Sequence, residues 1–423
     1  MSTEDLFFGH WLGRLDEYRL PPRVLFGFGA AKESGKVAKE IAKNRDVIVI
    51  TDEVLRKIGL IDDVLNALAD SGFNVDVFVP TAIEPTIQQV HEVIDAASKK
   101  EYGLIVGIGG GSSLDRAKMA ACFARREEKI DDYLAPSTKP IPGSLPKLLI
   151  PTTSGTGSEV SNTAVVIVPE EYVGTAKTWI TGDPVLAEAS IIDPSLMMKL
   201  PPTVTANTGF DAMSHSAEGV ISKLANPFSD ALALQGVKLV AENLRAAYHH
   251  GDDPEARWNM AMAAALGGIV ISFGWVAGPA TLGHVASEGI SPKYNMTHGA
   301  ACAVLLPYVY WFNLPDDYAQ RKLALIAEVL GVDTYGMSTR DAARHAILAT
   351  FELMEDVGIP TDLKSYGMKR EDIPTLAEYI LKRGEEMYSM SLYNPRRATR
   401  ENLEEFFEVV YEGKEALESR LFG

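Results

Sequence analysis

An α/β half built on a parallel sheet, followed by an all-α half, is the architecture that this 423-residue sequence predicts. Three observations carry the prediction. Over the first half, short β-branched runs alternate with amphipathic stretches of helical period, the pattern of βαβ units. Strand signals then stop after Pro201 and Pro202. From about residue 203 onward, long helical patterns succeed one another to the end of the chain. The expected domains are residues 1–201 and 202–423, each long enough to bury a core of its own.

In the first half the expected strands are 24–28, 47–51, 75–79, 104–108 and 148–151, with helices between them over stretches such as 33–43 and 55–71. Runs 163–168 and 189–193 read as further strands. In the second half the helical patterns cover 212–222, 229–248, 254–271, 320–330 and 339–357. Residues 259–287 carry no charged side chain, so they are long enough in principle to cross a bilayer. Five helix-weakening residues (Gly267, Gly268, Gly274, Gly278 and Pro279) and the lack of an aromatic or basic girdle favour a helix buried in a globular domain instead.

Composition narrows the function. Lys plus Arg number 40 against 57 Asp plus Glu, a formal charge of −17, which repels phosphate backbones and anionic lipid heads. Neither nucleic acid nor a membrane is an expected partner. Cys122 and Cys302 lie far apart with no CxxC spacing, so neither a disulfide framework nor a zinc knuckle is expected. With no secretion signal in the first thirty residues, the expected setting is cytoplasmic.

The strongest local signal in the first half is the apolar run 105–108 leading into Gly109, Gly110, Gly111, Ser112 and Ser113. Glycines let backbone amides approach a pyrophosphate, and the helix that follows presents free N–H groups and its positive dipole end. Asp52, just past the run 47–51, is placed to accept hydrogen bonds from an adenosine ribose and to repel a 2′-phosphate. NAD is therefore expected in preference to NADP. Capping of the next helix is the alternative role for Asp52. The loop Pro151-Thr-Thr-Ser-Gly-Thr-Gly-Ser-Glu159 adds hydroxyls and amides that can bind phosphate and nicotinamide.

The helical half carries Asp211 and His215, four apart and hence on one helix face. His284 is expected to close the long apolar helix, and His298 follows in MTHGA. One carboxylate and three imidazoles suit a divalent cation such as Fe(II), Zn(II), Mn(II) or Co(II), and imidazole does not separate these.

Together these residues resemble the iron-containing, or group III, alcohol dehydrogenases. The resemblance rests on FGFGAA at Phe26 to Ala31, GGGSSLD at Gly109 to Asp115, PTTSGTGSE at Pro151 to Glu159, IIDPSL at Ile191 to Leu196, TGFDAMSH at Thr208 to His215 and NPRRAT at Asn394 to Thr399. It implies an N-terminal dinucleotide-binding α/β domain with a parallel sheet, an all-α C-terminal metal-binding domain and an active site in the cleft between them. By motif it places the metal, Fe2+ or else Zn2+, on Asp211, His215, His284 and His298. NAD falls on Asp52, Gly110, Gly111, Ser112, Thr152, Thr153 and Thr156, with Lys177 and the loop around Leu196. The implied reaction is hydride transfer between NAD and a small alcohol or aldehyde, in a homo-oligomer.

One position departs from the family. Where members commonly carry a further histidine one turn after the third ligand, this chain has Glu288. Beside a divalent cation its carboxylate is expected to have a depressed pKa. It can carry a proton, coordinate the metal, bind a polar substrate group or be silent. Phe273, Trp275 and Tyr294 are candidate pocket walls. A dehydroquinate-synthase-like lyase would share the architecture, but its anionic sugar phosphate needs a basic pocket, and Lys and Arg are sparse between Thr203 and Thr297. A non-catalytic scaffold would have no need of all four ligand positions.

Overall fold

The computed structural model describes residues 18–80, 85–273 and 281–422. Strands β1 (Val24–Phe26), β2 (Asp46–Ile50), β3 (Asn74–Phe78), β4 (Leu104–Gly109), β5 (Lys147–Pro151) and β8 (Ala189–Ile192) form one six-stranded sheet in the order β1-β8-β5-β4-β2-β3. Every pair in it is parallel. Helices α1 (Ser34–Ile41), α2 (Glu53–Lys57), α3 (Asp62–Asp70), α4 (Ile87–Ser98) and α5 (Gly111–Phe123) supply the crossovers. β4 and β5 are buried along their whole length, as sheet strands covered on both faces must be.

Two local readings change. The stretch 55–71 is two helices and not one, because Gly59 turns the chain at φ +70° between α2 and α3. Residues 163–168 belong to β6 (Thr163–Glu170), which pairs antiparallel with β7 (Gly174–Thr181) in a ribbon separate from the main sheet. β7 had no expected counterpart, and it matters because it packs on the helical half.

The helical half comprises α6 (Pro202–Ile221), α7 (Pro227–His249), α8 (Pro254–Val270), α9 (Leu282–Lys293), α10 (His298–Asn313), α11 (Asp317–Val329), α12 (Thr339–Asp356), α13 (Ile373–Tyr388), α14 (Met390–Tyr393), α15 (Arg400–Glu412) and α16 (Lys414–Phe422). Its largest apolar cluster runs from α6 through α16 and takes in Trp179 of β7. The long apolar segment is not one helix. α8 ends at Val270 and α9 begins at Leu282, so His284 opens a new helix instead of closing the old one. Residues 274–280, including Trp275, lie outside the described residues. Among the described residues no helix is long and apolar enough to cross a membrane, and both cysteines are free and buried.

Three polar anchors hold the elements that bear the site. Asp193, just after β8, accepts from the amides of Gly29 at 3.1 Å and Ala31 at 2.9 Å, which ties the FGFGAA turn to the sheet. Asn394 accepts from the Leu282 amide at 3.2 Å and donates to Asn313 at 2.9 Å, fixing the start of α9. The Pro151–Glu159 loop reaches from the sheet to the helices. Gly157 sits at φ +59°, and a Cβ there would lie 2.4 Å from the Ala264 carbonyl and 2.5 Å from the Gly268 Cα, closer than side chains allow.

Candidate active site and metal centre

Three helices deliver one cluster. Asp211 and His215 come from α6, His284 from the first turn of α9 and His298 from the start of α10. One ligating atom from each lies within 4.8 Å of all the others. The His215 and His284 rings stack at 4.7 Å, and His284 meets His298 edge-on at 5.5 Å. Asp211 Oδ1, His215 Nδ1 and His284 Nε2 are buried without a hydrogen-bond partner. Buried donors and acceptors are normally paired, so unpartnered atoms on three of the four clustered residues fit a site for a cation.

Electrostatics favours the ligating form at two of the histidines. Burial, then the neighbouring His284, holds His215 well below the usual histidine range. Burial, then the Lys177 charge, does the same to His298. Neutral imidazole is the form that binds metal. Burial lifts Asp211 to about 6, a shift that a bound cation would oppose.

The expectation from sequence missed Glu218, one turn after His215 on α6. It is 1% exposed. Its Oε1 accepts from His284 Nδ1 at 2.5 Å, and its Oε2 accepts from the His284 amide at 3.1 Å and from the Thr281 hydroxyl. Because a carboxylate only accepts, the contact puts the ring proton on Nδ1 and turns the Nε2 lone pair toward the cluster. Burial draws His284 down, but the Glu218 charge and hydrogen bond outweigh it, and the net shift is upward.

Glu288 lies one turn beyond His284 on a continuous α9, as expected. It is 8% exposed and accepts from the Tyr388 hydroxyl. The expected depression of its pKa is not what the protein alone produces. Burial pushes it up to about 8, against the pull of Arg383, His284 and Lys177. The expectation counted the cation, whereas burial is the largest effect among the protein's own groups.

The glycine turn forms the other wall. Gly109 has φ +148°, and Gly110 opens α5 with no side-chain cap on its first amides. A Cβ on Gly110 would lie 3.5 Å from the Thr153 side chain, and one on Gly111 only 2.5 Å from Thr156. Thr152 donates its amide to the Gly109 carbonyl at 3.0 Å. Ser112 is partly exposed on the first turn of α5. Asp52 does cap α2, accepting from the Leu55 amide at 2.9 Å through Oδ1, while its Oδ2 lies 3.5 Å from a Cβ built on Gly109. One carboxylate therefore serves the helix and still faces the turn. Leu196 is buried in the core beneath the sheet. Lys177, on β7, acts electrostatically on Asp211, His298 and Glu288, which puts it on the metal side.

Asp115, in the first turns of α5, joins the two walls. It accepts from Ser158 Oγ at 2.6 Å and from the Val165 amide at 3.0 Å. Of the candidate pocket walls, Phe273 packs in an aromatic group with Tyr18 and Phe228 at 4.8 and 5.5 Å. Tyr294 sits at the far end of α9, roughly three turns from His284.

A parallel-sheet half with a glycine turn, set against a helical half with a cluster of one aspartate and three histidines, defines a two-part metalloenzyme architecture. The chain belongs to the iron-containing alcohol dehydrogenase family. The profile described as "Iron-containing alcohol dehydrogenase" matches residues 21–194, and "Fe-containing alcohol dehydrogenase family, C-terminal" matches residues 205–411. The chain is 35% identical to the NAD-dependent methanol dehydrogenase of Bacillus methanolicus over 91% of its own length and 97% of that protein's. It is 36% identical to the 1,3-propanediol dehydrogenase of Citrobacter freundii, over 94% and 99% respectively. The crystal structure of a 1,3-propanediol oxidoreductase superposes with a TM-score of 0.85 at 33% identity, covering 93% of this chain and 99% of that one.

Proposed function

We propose that the protein is an NAD-dependent, metal-dependent alcohol dehydrogenase and aldehyde reductase acting on small alcohols or aldehydes. One observation carries the reading: the loop that flanks Gly110 and Gly111 through Thr153 and Thr156 also packs Gly155 onto Thr208 of α6, the helix of Asp211 and His215. A nucleotide turn and an orphaned ligand set thus share one wall.

Asp211, His215, His284 and His298 would hold the metal, Fe2+ or else Zn2+. Asp52, Gly110, Gly111, Ser112, Thr152, Thr153 and Thr156 would hold NAD, with Lys177 and the Leu196 turn at its margins. When bound, the cation supplies Lewis acidity toward the alcohol or carbonyl oxygen, and NAD supplies the hydride acceptor or donor. Glu218 keeps the His284 lone pair aimed inward. Asp52 selects a free ribose 2′-hydroxyl. Glu288 faces the substrate.

The same reading takes residues 1–201 and 202–423 as the two domains and places the enzyme in the cytoplasm. It also takes the enzyme as a homo-oligomer, a dimer or larger. Support for assembly comes from β1, an edge strand among the described residues, where Val24 is 42% exposed and Phe28, two residues past the strand, 49%. The test is NADH absorbance with a panel of alcohols and aldehydes after reconstitution with different metals. Turnover with NAD that depends on added metal is expected, and its absence across the panel sinks the reading.

A further inference from the structure

A neutral imidazole carries one proton on two nitrogens, and only the bare nitrogen can ligate a cation. For His298 the nitrogen nearest the rest of the cluster is Nε2, 3.8 Å from Asp211 Oδ1. That oxygen is buried and has no hydrogen-bond partner among the described residues. It is therefore an acceptor that draws the proton to Nε2, the tautomer that cannot bind metal. Nδ1 meets a different acceptor, Ser287 Oγ of α9, at 3.5 Å. Ser287 is fully buried, and its hydroxyl donates to the His284 carbonyl at 2.9 Å. With its single proton committed there, Oγ presents lone pairs to the ring. The other group near Nδ1 is the Cys302 thiol of α10, whose Sγ is 3.9 Å from Nδ1 and 3.7 Å from Nε2. An acceptor in line with either N–H bond would stand clearly farther from the opposite nitrogen, so the sulfur lies on neither axis.

We infer that Ser287 is a positioning residue for the metal site: its hydroxyl oxygen holds the His298 proton on Nδ1 and leaves Nε2 bare for the cation. The inference rests on the metal reading of the cluster and deepens it. Glu218 does the same for His284 from α6, through Nδ1 at 2.5 Å. Partners behind a ligating histidine set its tautomer and its orientation. Ser287 adds a second effect, because one hydroxyl is bonded to the backbone of His284 and to the ring of His298. The ligand that opens α10 is thereby fixed relative to the ligand on α9. Without that oxygen, the acceptor left to the ring proton is the Asp211 carboxylate. The proton then moves to Nε2, and a cation has to displace it before it can bind.

The experiment has two readouts on the full chain, for the wild type, Ser287→Ala and Cys302→Ala. The first is 15N solid-state NMR of histidine-labelled, metal-free protein, which tells Nδ1–H from Nε2–H, with the His298 signals identified by their loss in His298→Gln. The second is the affinity for Zn2+ by chelator competition, with circular dichroism to confirm the fold. The wild type is expected to show His298 protonated on Nδ1. Ser287→Ala is expected to move that proton to Nε2 and to lose about 10-fold in Zn2+ affinity, the lower end of what such partners contribute. Cys302→Ala, which also removes one buried atom beside the ring, is expected to keep the tautomer and stay within threefold of wild type. An Nε2–H tautomer in the wild type overturns the inference, as does an unmoved proton in Ser287→Ala. An equal loss of affinity in Cys302→Ala also overturns it, since packing alone would then account for the effect. A wild type that binds no Zn2+ sinks the metal reading itself, whereas Zn2+ binding with the tautomer indifferent to Ser287 sinks this inference alone.

Discussion

Replacing Glu218 by Gln should strip the metal site of affinity without unfolding the protein. The two carboxylate oxygens face two separate sets of donors: His284 Nδ1 on one side, the His284 amide and the Thr281 hydroxyl on the other. Glutamine has one acceptor oxygen and one NH2 group. Whichever way the amide turns, a donor meets a donor on one side. A buried group left unsatisfied costs about 1–3 kcal/mol, and each factor of ten in affinity is about 1.4 kcal/mol. The expected loss is therefore about 10- to 100-fold in metal affinity, the usual range for removing a partner behind a ligating histidine. Chelator competition on the reconstituted protein, with circular dichroism to show an intact fold, measures it. An affinity within threefold of wild type would refute the reasoning and return Glu218 to the role of a buried helix contact.

Further outcomes follow from the same geometry. His284→Ala and His298→Ala should each lose bound metal by elemental analysis, since each removes one of four converging ligands, and full metal content in either disproves the cluster. Asp52→Ser should narrow the preference for NAD over NADP while keeping a capping oxygen for α2, so equal cofactor kinetics in variant and wild type would dismiss the ribose contact. Asp230→Ala should destabilise the fold, because it removes the carboxylate that the buried Lys322 ammonium meets at 2.6 Å; an unchanged denaturation midpoint would contradict it. Glu159 is pushed up to about 7 by burial, so its protonated form is the one the fold prefers. That contribution is full below its unfolded pKa and is lost as pH rises through about 7. Glu159→Gln should therefore gain stability relative to wild type from pH 5 to pH 8, and a gain that does not grow with pH would be inconsistent with this.

What could be seen in the sequence was what lies close together along the chain. The glycine turn and the Asp211–His215 pair each sit within one element, and spacing alone revealed them. His284 and His298 were legible as residue types, and Gly274, Gly278 and Pro279 signalled the break between α8 and α9, but the unbroken lack of charge across it favoured a single buried helix. β7 escaped notice because a ribbon strand that mixes Thr, Lys and Trp lacks the solid β-branched run of β4. Glu218 left a faint signal, a carboxylate one turn after a ligand. Tyr388 left none with respect to Glu288, since 100 residues separate the two and only the packing of α13 on α9 unites them. The sign of the Glu288 shift depended on burial, which no spacing encodes.

The seam between Gly157 and Gly268 limits how the family's sequences can drift through this chain. A Cβ on Gly268 would stand 2.3 Å from the Gly157 carbonyl, and one on Gly157 would strike Gly268 in return. Neither position can accept a side chain first, and a simultaneous pair of changes would collide twice over, so no route of single replacements leads away from this backbone contact. Variation in what the enzyme accepts must come from elements free to change one residue at a time. A search for new substrates by random mutation should therefore find no winners at the seam.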